Sequence, residues 1–117
     1  MGEPCSQLPQ PWIGGRSRHA VEHAYEELTD QVTRTDARTP YADGALAAYR
    51  WALGAGGSGP ITGTPGAAPP DVERLTAEVD ASVVQTEDRT QSAAGHAFAE
   101  GVHDVLTWVC GLRDGAP

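Results

Sequence analysis

The residues best able to do chemistry are His96, Glu100 and His103, spaced for one stripe of a helix that Thr107 continues. Glu100-Gly-Val-His103 is a Glu-x-x-His pattern, the spacing by which carboxylate-bridged di-iron bundles project two ligands from one helix. Helix rise sets His96 and His103 about 10 Å apart along the axis, so only one of them can join Glu100 on a small ion. Asp43 is the acidic residue best placed in the sequence to add an oxygen ligand from a second helix. A symmetric di-iron site would need a second Glu-x-x-His, and the matching position holds Leu46. The same residues also read as the polar side of a helix whose other side, Phe98, Val102, Val105 and Val109, faces a core. That second reading is preferred, and a divalent metal stays an alternative.

Other candidates carry less. His19 and His23, with Glu26 and Asp30 nearby, fall opposite the apolar residues of their segment and read as a solvated face. Cys110 ends an apolar stretch and reads as a buried thiol, while nothing near Cys5 would activate it. Two cysteines cannot staple a secreted module. There is no Gly-x-Ser-x-Gly elbow and no Cys-x-x-Cys, and a chain without Lys has no phosphate-binding loop of the Walker type. No catalytic set emerges.

The elements that must position these residues follow from periodicity. Val21, Tyr25, Leu28 and Val32 predict an amphipathic helix from Ser17, its cap, to about Arg34. Thr39-Pro40 opens a second helix that runs to Leu53 and stops at Gly54. Only Asp43 and Arg50 interrupt its apolar surface, so most of that surface should be buried. Residues 54–70 are a Gly/Pro-rich linker able to reach on the order of 20 Å. Asp71 caps a third helix with Val72, Leu75, Val79 and Val83 as its stripe, reaching Arg89 or beyond. Gly95 is the expected break before a last helix, His96 to Cys110, which ends at Gly111. No strand alternation is visible, and the expected fold is an all-α four-helix bundle.

The second and fourth helices repeat each other. Tyr41-Ala-Asp-Gly44 matches Phe98-Ala-Glu-Gly101, and Trp51 and Gly54 match Trp108 and Gly111, at one constant offset with no gap. Matched tryptophans are informative in a chain with three Trp. The chain therefore reads as two tandem helical hairpins, 17–54 and 71–111, packed with approximate two-fold symmetry. Glycine inside a helix costs roughly 1 kcal/mol relative to Ala, so Gly44 and Gly101 at one register imply close approach where helices cross. Trp51 and Trp108, seven residues later on the same faces, would complete a self-complementary contact. Residues 1–16 read as an extended arm whose Trp12 and Ile13 dock on the domain or on a partner, and residues 112–117 read as a tail.

Composition bounds the function. A chain of 117 residues can bury one core, and no stretch approaches the roughly 20 apolar residues of a membrane span. Net charge is −8 and the eight basic residues, all Arg, are spread from Arg16 to Arg113, which argues against direct nucleic-acid binding. Absent Lys and Asn alongside abundant Ala and Gly suggest a high-GC bacterial source. Gly2 with Ser6 fits a myristoylation pattern by chance in such a chain, and with no apolar leader the expected location is the cytoplasm. The leading expectation is a non-catalytic interaction or assembly module, self-associating as a homodimer or bound to a protein partner. A metal-binding bundle is one alternative; an acidic decoy that blocks a nucleic-acid-binding protein is the other.

Overall fold

The computed structural model describes residues 12–35, 38–54, 59–63 and 70–116. Four helices make up the fold: α1 (Arg18–Thr35), α2 (Pro40–Ala52), α3 (Val72–Glu87) and α4 (Ala93–Val109). Each begins where a side chain replaces the missing acceptors of the first turn. Ser17 Oγ accepts the Ala20 N–H at 3.1 Å and Thr39 Oγ1 accepts the Ala42 N–H at 3.1 Å. Asp71 Oδ1 accepts the Arg74 N–H at 2.9 Å, and Ser92 Oγ accepts the Gly95 N–H at 3.0 Å. Pro40 fills the first position of α2. α2 and α4 both end at a glycine with positive φ, 87° at Gly54 and 82° at Gly111.

Two local expectations are corrected. α4 starts at Ala93 rather than His96, because the Ser92 hydroxyl caps it and Gly95 is accommodated within the first turn. Residues 12–17 are not an extended arm: β1 (Trp12–Ile13) pairs antiparallel with β2 (Arg16–Ser17) across Gly14-Gly15. This small hairpin is tied to the end of α4, where the Gly15 N–H donates to the Val109 carbonyl at 2.8 Å. It is the one departure from an all-α chain among the described residues. Residues 1–11, including Cys5, and the side chain of Trp12 lie outside the described residues.

The four helices form a bundle around one core. α1 packs on α2, α3 packs on α4, and the most extensive contact joins α2 to α4 across the two hairpins. The core holds Ala45, Ala48, Tyr49 and Trp51 from α2 with Val102, Val105, Leu106 and Trp108 from α4. Leu75, Val21 and Ile13 close it from α3, α1 and the β-hairpin. The expected α3 stripe holds in part: Leu75 is buried and Val79 packs on the core, but Glu78 and Ser82 are buried as well and Val72 is 62% exposed.

Candidate functional site

The α2–α4 crossing gathers the four residues of the repeat. A methyl group at Gly44 would overlap the backbone carbonyl of Phe98, and one at Gly101 would overlap the carbonyl of Tyr41 and come within 2.8 Å of the Ala45 nitrogen. Tyr41 and Phe98 are themselves equivalent in the repeat, so the two contacts are copies of each other under the two-fold relation. Trp51 and Trp108 are buried on either side of the crossing, not on an outer surface. Trp108 meets Tyr49 edge-on at 6.3 Å between centroids, and Tyr49 meets Tyr25 of α1 at 6.2 Å. These contacts are all within one chain.

Each of these two tryptophans also carries an arginine, one from β2 and one from α3. Arg16 lies over Trp108 at 4.9 Å and Arg74 lies over Trp51 at 5.9 Å. Arg16 is fastened by its donors, Nε to the Trp108 carbonyl at 2.8 Å and Nη2 to the Arg113 carbonyl at 2.5 Å. Ile13 is buried against the domain beside it, at 2% exposure. Of the two docking possibilities for that residue, the protein's own core is the one the fold uses.

The proposed metal ligands are not brought together. Asp43 is held by Arg38 at 2.7 Å, and that pairing in turn keeps the Arg38 pKa above its ordinary value. His96 donates from Nε2 to the Asp88 carbonyl at 2.5 Å, closing the turn between α3 and α4. His103 Nδ1 lies 3.4 Å from Asp104 Oδ1, and Glu100 is exposed. Among the described residues no three His, Cys, Asp or Glu side chains converge as a metal would require. His23 reaches Glu27 at 3.8 Å on the exposed side of α1. Burial raises the pKa of the half-buried Cys110 thiol, which keeps it protonated.

Two polar groups escaped the sequence reading. Glu78 is 2% exposed and braces the linker turn at 59–63. Its Oε1 accepts the Ile61 N–H at 2.7 Å and the Thr62 N–H at 3.2 Å, and its Oε2 accepts the Thr62 hydroxyl. Gly59 lies so close that a Cβ there would come within 2.5 Å of Glu78 Oε2. The second is Asp104, which accepts from Tyr41 Oη at 2.6 Å and pairs with Arg113 at 3.1 Å. Burial first, then this bond, raises the Tyr41 pKa well above the ordinary phenol range. Nothing local in sequence marks either, because the partners lie 16 and 63 residues away.

α1 stands apart from this organisation. It is 18 residues long and buries only Val21 fully, whereas α2 buries eight of its 13. A concavity of about 530 Å³ runs along it, bordered by Tyr25, Glu26, Asp30 and Thr33 and by no residue of another helix among those described. No described helix is long and apolar enough to cross a membrane. No protein-family model matches the chain, and no curated protein or solved structure matches it either.

Proposed function

We propose that the protein is a non-catalytic, cytoplasmic helical interaction module that self-associates through α1. The supporting observation is the imbalance of burial: an 18-residue helix with a single fully buried side chain. A helix of that length is marginal in water unless an apolar face is covered. Tyr25, Leu28 and Val32 on that face are only partly buried within one chain. A second copy, packing its own α1 alongside, would complete their burial. The Gly44/Gly101 close approach and the burial of Trp51 and Trp108 are already complete within the chain, so they build the module and leave α1 as the element for assembly.

Light scattering on the purified chain, with and without Val32→Arg, tests the reading. A dimer that the substitution converts to a folded monomer, with unchanged helical circular dichroism, supports it. A monomer at every concentration removes it.

A second reading, the acidic decoy, draws on the exposed Glu26, Glu27 and Asp30 that border the concavity on α1. Such a face would recruit a basic partner by charge. Capture of a basic nucleic-acid-binding protein that vanishes at moderate salt would favour it over self-association.

A further inference from the structure

Trp108 and Trp51 each carry an arginine, but the two pairs are not equally satisfied. Arg16 gives its donors to two carbonyl oxygens above Trp108. Above Trp51, Arg74 Nη2 is buried without an acceptor among the described residues, and so is Trp51 Nε1. Trp51 is only 3% exposed, and no ion pair reaches Arg74 among the described residues. Two buried donors without acceptors are costly and rare in folded proteins.

Both side chains line a cavity of about 70 Å³ whose other walls among the described residues are Thr62, Ala77 and Glu78. That volume holds about two waters or one molecule of about four heavy atoms. An occupant must bring an oxygen to the two donors. The Arg74 guanidinium and the Glu78 carboxylate both line the cavity, so its walls carry no net charge and favour a neutral occupant over an ion. A carboxylate has about four acceptor sites, and Glu78 uses three of them on Ile61 and Thr62.

We propose that this cavity binds a small uncharged amide of acetamide size. Its carbonyl oxygen accepts from Trp51 Nε1 and Arg74 Nη2, and its NH2 group donates to the Glu78 carboxylate. The methyl end rests against Ala77 and the indole face.

The test is a titration of the full, 15N-labelled chain with acetamide, read at the indole N–H signals of Trp12, Trp51 and Trp108. The expected result is a saturable shift of the Trp51 signal alone, with a Kd of about millimolar, the scale for so few atoms. Arg74→Met should weaken it about tenfold, with the Trp108 signal unmoved as proof of folding. Ala77→Leu, which fills the mouth of the cavity and removes no polar group, should abolish the shift if Arg74→Met does not fold. Acetate should give no saturable shift. No saturation with acetamide, an equal response to acetate, or a uniform shift of all three indoles would each overturn the proposal.

Discussion

Gly101 faces the carbonyl oxygen of Tyr41 with no room between them for a methyl group, and Gly44 faces Phe98 in the same way. Two helices approach this closely only where both lack a Cβ. Alanine at either position would gain roughly 1 kcal/mol of helix propensity and lose more to overpacking. Gly44→Ala and Gly101→Ala should therefore each destabilise the fold by about 1–3 kcal/mol in denaturant unfolding. Gly115→Ala, where a Cβ meets nothing within 4 Å, should stay neutral. Stabilisation by either core substitution would mean that the helices do not cross there.

That crossing was legible because it is written twice. The Tyr41/Phe98, Gly44/Gly101 and Trp51/Trp108 correspondences fall in one register, and the starts of α1, α2 and α3 carry the expected caps Ser17, Thr39 and Asp71, while the α4 cap, Ser92, was hidden behind Gly95. What stayed hidden depends on distant partners. Leu75 is buried and Val79 packs on the core as the spacing expects, but Val72 is exposed and Glu78 turns inward, since it has acceptors to offer to a turn whose position no periodicity encodes. The Glu100–His103 spacing is a local helical regularity, and whether it makes a metal site depends on what other helices bring to it. Here Asp43 goes to Arg38 and His96 to the Asp88 carbonyl. The β-hairpin did leave a signal, a Gly-Gly pair between Trp12-Ile13 and Arg16-Ser17. It is too short to register as strand alternation.

Glu78 connects α3 to the linker turn, so its loss should be felt in the linker. Replacing it with Ala leaves the Ile61 and Thr62 amides without their acceptor and should cost about 1–3 kcal/mol. Amide hydrogen exchange at Ile61 and Thr62 should accelerate well before global unfolding, while amides in the α2–α4 crossing keep their protection. Equal acceleration everywhere would show that Glu78 supports the core generally and not this turn.

The buried phenol of Tyr49 makes a pH-dependent contribution. Its Oη has no hydrogen-bond partner among the described residues, and burial pushes its pKa up to about 12, against a small opposing effect of Arg113. The folded state favours the protonated form, so the contribution is intact below the unfolded pKa of about 10 and is lost as pH rises toward 12. Tyr49→Phe should therefore flatten the loss of stability between pH 10 and 12. Because the hydroxyl is buried and unbonded, the same substitution should leave stability at neutral pH unchanged or raise it by about 1 kcal/mol. A clear loss at neutral pH would mean that the hydroxyl has an acceptor.

Arg16 joins three separate parts of the chain: the β-hairpin that carries it, the Trp108 ring beneath it and the Arg113 carbonyl beyond the end of α4. Lysine keeps the charge but not the planar fork, so it cannot serve both carbonyls while lying on the ring. Arg16→Lys should cost about 1–2 kcal/mol, which for a domain of this size lowers Tm by roughly 4–16 °C. Arg16→Met should cost more, since it also removes the attraction to the indole face. The pattern matters as well as the size. Gly15 is held to α4 at the same place, so loss of Arg16 should expose the hairpin to proteolysis near Gly14-Gly15 before the four helices unfold. If both variants melt like the parent, the hairpin is held by Ile13 burial and the Gly15–Val109 bond alone.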